Sequence, residues 1–340
     1  MNLPLKLGLL GAGRIGQVHA AAITADVRDA KITRVVDVYE ASAEALGTQY
    51  GISYSTDPQD IFGDDEIDAV LICSSTDTHA AFMIRAAEAG KHIFCEKPVD
   101  HDLGRIDEAL AAVEKAGVKC MIGFNRRFDH NFMKVREMIN AGRVGDLHVL
   151  QITSRDPAPP PISYIKVSGG LFMDMMIHDF DMARFLFGEV EEVYALGGAM
   201  VDPAIGEAGD VDTAIVTLTF KNGAMGTINN SRQAVYGYDQ RVEVFGSKGM
   251  VDVKNDYPNT HTFYGADGVV SEKPLYFFLE RYMDAYKNEM KAFVDCVVND
   301  TTEPATVHDG RESVVLAMAA LKSLQEKRPV KISEIASYPD

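Results

Sequence analysis

The sequence predicts an α/β chain in two domains. Residues 1–123 should form a doubly wound parallel sheet, and 124–340 an α+β domain with a mostly antiparallel, open sheet. Three observations carry this prediction. Continuous apolar runs alternate with helix-like stretches in the first part, as expected of strands buried on both faces and joined by crossover helices. After Phe124 strand-like runs follow one another, separated by turn signals and little helix. The length of 340 residues, at roughly 150 residues per domain, gives about two domains.

Leu5–Leu10 is an apolar run closed by Gly11, and a helical stretch follows through the alanine-rich His19–Ile23. Ile32–Val36 is β-branched, which suits a pleated buried surface, and it ends in Asp37. Asp68–Cys73 reads as a buried strand, followed by Ser74-Ser75-Thr76 and the helical run His79–Ala89. His92–Cys95 and Val118–Gly123 complete the series, with helix-like Leu103–Lys115 between them. Each crossover should be right-handed. Further on, Phe132–Ala141 reads as a helix, Leu147–Ser154 as a strand, and Asp156–Ser168 as a proline-rich loop. One continuous helix is expected from about Gly170 to Phe187. Strands should follow at Val190–Leu196, Thr213–Phe220, Ala224–Asn230, Arg241–Phe245 and Met250–Val253. Tyr282–Asn299 and Arg311–Lys327 should be two closing helices.

Composition narrows the function. Lys and Arg number 33 against 50 Asp and Glu, a formal net charge of −17. That field repels phosphate backbones and anionic headgroups, and no Lys/Arg run offsets it. Neither nucleic acid nor a membrane surface is an expected partner. No stretch of about 18 apolar residues occurs, and the start lacks the basic and then apolar pattern of a secretory signal. Cys73, Cys95, Cys120 and Cys296 lie far apart in apolar runs, which reads as reduced core thiols and not as disulfides or a zinc site. A cytoplasmic protein is expected.

Gly11-Ala12-Gly13-Arg14-Ile15-Gly16 is G-x-G-x-x-G set between the first strand and the first helix. Such glycines serve a tight turn, close backbone approach to a pyrophosphate, and close packing of helix on strand. The phosphate charge would then rest on the helix N-terminus. A glycine cluster can also be an ordinary turn, so context matters. The motif calls for an acidic residue about 20 positions on to bind the ribose hydroxyls, and Asp37 stands there. An N-cap role is the alternative for Asp37. Val38-Tyr39-Glu40 offer no cation for a 2′-phosphate, so NAD is expected over NADP. Ser74, Ser75, Thr76, His79, Glu96 and Lys97, near the carboxyl ends of their strands or just beyond, are further candidate cofactor contacts.

His92-Ile93-Phe94-Cys95-Glu96-Lys97-Pro98 puts charge at the end of a buried strand. The pair Glu96/Lys97 could be an exposed ion pair, or Lys97 could steady negative charge on a substrate oxygen. In a helix, Asp174, His178 and Asp181 would share one polar stripe at i, i+4 and i+7 within an otherwise apolar segment. A histidine beside a carboxylate is a suitable proton acceptor near neutral pH. Solvated Asp–His pairs are common, and the pair could also ligate a metal. No third and fourth ligand group with it, so no metal is expected.

Together these pieces resemble the glucose–fructose oxidoreductase/inositol dehydrogenase (Gfo/Idh/MocA) family over essentially the whole chain. GLLGAGRIG at 8–16, EKP at 96–98 and DMMIHDFD at 174–181 carry the resemblance. It implies an N-terminal Rossmann domain that binds NAD and a C-terminal domain whose open sheet serves oligomerisation, a tetramer first. It also implies a cis Lys97–Pro98 bond, Lys97 and His178 flanking a substrate carbinol, and Asp174 orienting His178. Asn125-Arg126-Arg127-Phe128, Ser154-Arg155-Asp156-Pro157 and Tyr236-Gly237-Tyr238-Asp239 are similar to segments that line a cyclitol pocket. Arg127, Asp156, Asp181 and Tyr236 therefore join Lys97, Asp174 and His178 as implied substrate contacts, with Tyr238 open as an alternative to Tyr236. The implied activity is NAD-dependent oxidation of a cyclic polyol, foremost myo-inositol at C2. Another inositol isomer, an amino-cyclitol or an aldose are the alternatives, with loop 156–168 deciding among them. A non-catalytic NAD(H)-binding sensor is the reading from another class, and the joint presence of Lys97, Asp174 and His178 speaks against it.

Overall fold

Leu5–Leu10 folds as β1 with every residue but Lys6 buried, as a strand covered on both faces must be. In this computed structural model, which describes residues 3–336, α1 (Arg14–Asp26), β2 (Ala30–Val36), α2 (Glu40–Tyr50), β3 (Ser53–Ser55) and α3 (Gln59–Phe62) follow. Then come β4 (Ala69–Ile72), α4 (Thr76–Glu88), β5 (His92–Glu96), α5 (Leu103–Ala116) and β6 (Cys120–Gly123). The sheet order is β3-β2-β1-β4-β5-β6, and all pairs are parallel. The order reverses between β1 and β4, so their carboxyl ends flank the switch point at which open sheets bind ligands. The short edge strand β3 escaped the sequence reading because its three residues, Ser53-Tyr54-Ser55, include no buried one.

The next elements are α6 (His130–Asn140), β7 (Leu147–Arg155), α7 (Ile162–Ile165), α8 (Gly170–Asp174), α9 (Ile177–Phe187), β8 (Val190–Gly198) and α10 (Pro203–Glu207). They are followed by β9 (Thr213–Phe220), β10 (Met225–Ser231), β11 (Asp239–Gly246), β12 (Gly249–Val253), β13 (Thr262–Gly265), β14 (Gly268–Ser271) and α11 (Phe278–Arg281). The chain closes with α12 (Met283–Asn299), α13 (Val307–Glu326) and β15 (Val330–Lys331). The second sheet runs β12-β11-β7-β10-β9-β8-β15. Its pairs are antiparallel except β7 with β10, which are parallel. In β9 the alternation buries Ala214, Val216, Leu218 and Phe220 and exposes Ile215, Thr217 and Thr219, the mark of a sheet covered on one face. The hairpin β13–β14 was not anticipated, and all eight of its strand residues are exposed.

The chain packs as two compact units. The first holds the chain through Phe128 with Met283–Glu312, and the second holds Asp129–Tyr282 with Ser313 onward. This differs from the single division at 123/124 read from the sequence. The reason is tertiary: α12 buries Met290, Phe293 and Val294, and Phe293 meets Phe94 of β5 with ring centroids 5.8 Å apart. Nothing local in α12 names that partner. Among the described residues no helix is long and apolar enough to cross a membrane.

Candidate active site

In the first unit Gly11 closes β1 at φ +100°, and a Cβ there would lie 2.5 Å from the Cys73 carbonyl oxygen at the end of β4. Only glycine fits. A Cβ on Gly16 would run into the Gly11 carbonyl oxygen, so α1 seats against the loop only without a side chain there. Gly13 differs. Its φ of −70° suits any residue, and a Cβ would meet nothing within 4 Å. No protein contact requires this glycine, whereas an approaching phosphate would. Gly13 is also the N-cap of α1 and supplies no side-chain cap, and a helix start of this kind suits an anion. Gly13 and Arg14 are exposed, Ile15 is half-buried and Ala12 is buried.

The Asp37 carboxylate, just past β2, accepts the Ala12 N–H at 2.7 Å and the Tyr39 N–H at 2.8 Å. It thereby ties the glycine loop to the second strand end, and the exposed neighbours Val38 and Tyr39 bring no cation. This donor set fits NAD: an uncapped helix start for the pyrophosphate and a carboxylate, with no basic side chain following it, for the ribose hydroxyls. Ser74, Ser75 and Thr76 form the turn into α4, with Ser75 exposed and the other two half-buried.

Two expected cofactor contacts, His79 and Glu96, are buried. His79 is 2% exposed, and its ring nitrogens face the Pro98 carbonyl at 2.8 Å and the Ser74 carbonyl at 3.0 Å. Burial, opposed by those two carbonyls, leaves it below the ordinary histidine range. Both ring nitrogens are engaged, so His79 ties the turn after β4 to the turn after β5. Glu96 is also buried, and its carboxylate meets His19 Nε2 at 2.6 Å. It lies across Gly123, where a Cβ would come within 3.0 Å of it. The exposed Glu96–Lys97 ion pair weighed from the sequence is therefore absent: Glu96 points inward, and Lys97 follows half-buried on a cis bond to Pro98. Glu289 of α12 joins His19 and Glu96, with ligand-capable atoms within 4.8 Å of one another. The 2.6 Å bond joins His19 and Glu96 directly, and all three groups are buried.

In the second unit the expected helix over 170–187 is broken. The N–H groups of Met175 and Met176 both return to the Leu171 carbonyl, at 3.1 and 2.9 Å. The second bond spans five residues, one wider than an α turn, a feature that recurs at functional sites. Asp174 ends α8 and His178 is the second residue of α9, so the pair does not share one regular helical face. Both are half-buried. Asp174 Oδ1 accepts the Tyr164 hydroxyl at 2.9 Å, and Oδ2 accepts Arg232 Nη1 at 3.2 Å. Asp181, expected to complete the stripe as a substrate contact, is 1% exposed. The helix turns it into the interior of the unit.

Asp156 sits half-buried just past β7, its N–H on the Ser231 carbonyl at 2.9 Å. Tyr236 donates its hydroxyl to Asp239 at 2.6 Å and accepts from Arg155 at 3.1 Å. Burial and Asp239 push that phenol above its ordinary range. Tyr238 instead stands edge-on to Phe277 and Tyr282 in the core, so of the two tyrosines Tyr236 carries the accessible ring. Arg127, in the first unit, donates to the Pro304 carbonyl at 2.8 Å and pairs with Asp309 at 3.1 Å. These bonds make it an anchor for the segment leading into α13.

Two family descriptions match the chain: "Oxidoreductase family, NAD-binding Rossmann fold" over residues 5–124, and "GFO/IDH/MocA C-terminal domain" over 132–252. The chain belongs to the Gfo/Idh/MocA oxidoreductase family. A myo-inositol 2-dehydrogenase of Thermotoga maritima is 48% identical over 97% of this chain and 99% of the relative. Among solved Gfo/Idh/MocA relatives, a myo-inositol dehydrogenase from Corynebacterium glutamicum superposes with TM-score 0.94 at 39% identity, over 99% of this chain and 100% of that one. A scyllo-inositol dehydrogenase from Lactobacillus casei, solved with NAD(H) and scyllo-inositol, gives TM-score 0.90 at 29% identity over 97% and 99%. The glycine loop and Asp37 thus lie in the family's NAD-binding Rossmann domain. His19, Tyr164 and Arg232 were missed from the sequence. Only His19 left a signal there, as a polar residue in an alanine-rich helical face.

Proposed function

We propose that the chain oxidises a secondary alcohol of a cyclic polyol with NAD, converting myo-inositol at C2 to 2-keto-myo-inositol (scyllo-inosose). The observation that carries this reading is the joint presence of Lys97, Asp174 and His178 in a chain 48% identical, over 97% of its length, to a myo-inositol 2-dehydrogenase. NAD, held by the Gly11–Gly16 loop, Asp37 and the Ser74–Thr76 turn, supplies the hydride acceptor when bound. His178 takes the hydroxyl proton as general base. Asp174 favours the imidazolium that forms. Lys97 donates to the reacting oxygen and steadies its charge. Asp156 and Tyr236 offer hydrogen bonds to ring hydroxyls, and Arg127 braces the segment before α13. Initial rates of NADH formation across myo-inositol, scyllo-inositol, D-chiro-inositol and glucose, each with NAD and NADP, test the reading. NAD with myo-inositol should give the highest kcat/KM, and His178→Ala should abolish turnover while retaining NADH binding. The relative named for scyllo-inositol supplies the second reading, the same chemistry on that isomer, which the same panel separates. Tight NADH binding without turnover on any polyol would instead favour a sensor.

The reading extends to a homotetramer in the cytoplasm that serves inositol catabolism. On the uncovered face of the second sheet, Met225, Val149, Phe245 and Met250 stand in one cross-strand row, with Met225, Phe245 and Met250 47–60% exposed. Such a row invites a second copy. Phe245→Glu should lower the sedimentation coefficient of the assembly, and an unchanged coefficient would place the contact elsewhere. All four cysteines are free and buried, as a reducing compartment allows.

A further inference from the structure

A continuous helix would hold Asp174 and His178 in register through its backbone. The wide turn at Met175–Met176 removes that constraint, and α8 is a single turn of five residues. The aim of Asp174 must therefore come from tertiary contacts, and the second unit supplies them on both carboxylate oxygens. Arg232 follows β10, its N–H fixed on the Asp212 carbonyl at 2.8 Å. Its side chain is 1% exposed and reaches Asp174 at 3.2 Å and Asp210 at 3.8 Å. Asp210 in turn accepts the Leu171 N–H at 3.0 Å, at the start of α8. The guanidinium thus stands between a carboxylate at each end of the short helix. On the other side of the break, Asn230 of β10 donates to the buried Asp179 of α9 at 2.9 Å. One strand end braces both helices. From the proline-rich loop, Tyr164 adds its hydroxyl to Asp174 Oδ1 at 2.9 Å, with its ring 42% exposed.

We infer that Arg232 and Tyr164 are positioning residues for the proposed oxidation, clamping Asp174 by one oxygen each so that it serves His178 as a fixed carboxylate. The planar guanidinium fork suits this task, because it can address two carboxylates at once where an ammonium is a single point of charge. The Tyr164 bond also links the loop expected to select the substrate to the carboxylate behind the base. Placing the loop and aiming Asp174 become one event.

This inference rests on the reading of His178 as the base, so the experiment carries both layers. Tyr164→Phe removes one hydroxyl from a half-exposed ring, and Arg232→Lys keeps the charge. Each would be measured for kcat, for KM toward NAD and the best polyol of the panel, for NADH binding and for thermal midpoint, beside His178→Ala. The expected result is kcat lowered about tenfold in each clamp variant, the worth of one hydrogen bond to a charged group. KM for NAD and NADH binding should stay at wild-type values, and the midpoint of Tyr164→Phe should not move. Tyr164→Phe with kcat within twofold of wild type overturns the inference, and so does a loss that appears in KM for NAD. Wild-type turnover in His178→Ala would instead overturn the reading beneath it, whatever the clamp variants do.

Discussion

The two glycines Gly13 and Gly16 make opposite predictions although the motif treats them alike. At Gly13 the backbone already suits alanine, and an added methyl meets open space. Gly13→Ala should leave the thermal midpoint unchanged or raise it slightly, since alanine narrows the unfolded ensemble by about 0.4–1 kcal/mol. If the pyrophosphate approaches this backbone, the same methyl holds it off and forfeits roughly one charge-assisted hydrogen bond. That is about 1.5–3 kcal/mol, or about a 10- to 150-fold rise in NADH Kd. At Gly16 the methyl lands on the Gly11 carbonyl oxygen, well inside the 3.0 Å that real Cβ atoms keep, and backbone on both sides cannot swing away. Overpacking of that kind costs about 1–3 kcal/mol, or about 2–4 °C of midpoint per kcal/mol in a unit of this size. NADH binding should weaken with it, because the loop itself moves. NADH fluorescence titration paired with thermal unfolding reads both variants. Wild-type NADH affinity in Gly13→Ala would refute the reasoning, since the space above that residue would then not be where the cofactor lies.

Asp37→Ser should lower kcat/KM with NAD about tenfold or more and narrow the preference over NADP, because the carboxylate both braces Ala12 and meets the ribose; steady-state rates with the two cofactors decide it. His79 is held below its ordinary range by burial, so the folded state binds fewer protons than the unfolded one between that lowered value and about 6.5. The stability this contributes is present above about pH 6.5 and is lost as pH falls through the folded value. Thermal midpoints at pH 7.5 and 5.5 should therefore fall further in wild type than in His79→Gln. Arg127→Met strips Asp309 of its bidentate partner and should cost about 3 kcal/mol, the low end for breaking a buried pair. An unchanged urea midpoint with a raised KM for the polyol would return Arg127 to direct substrate contact.

Much of the nucleotide half was legible because its signals are local. Gly11 must be glycine at φ +100°, Gly16 must lack a side chain for α1 to pack, and Asp37 stands at the end of a short apolar strand. Each demand acts within a few residues of chain or across one βα turn. The run of strands after Phe124 with turn signals and little helix between them likewise told the antiparallel half from the parallel one. Local signals fall silent where a side chain's surroundings depend on a distant partner. The motifs point to Glu96 and Asp181 as site residues, and the structure turns Glu96 inward to His19 and buries Asp181. A carboxylate's spacing along the chain does not say whether it faces water or a histidine 77 residues away.

The sequence by itself determined the two sheets, the glycine turn between strand and helix, the acidic strand end after β2 and the lysine after β5, because sterics and hydrophobic period operate over short stretches. Only the tertiary structure decided that α12 completes the first unit, that the helix bearing Asp174 breaks before His178, and that Arg232 lies buried between Asp174 and Asp210. Those outcomes are set by which surfaces exclude water together and which buried charges must meet. Both are sums over contacts that no local pattern in the chain encodes.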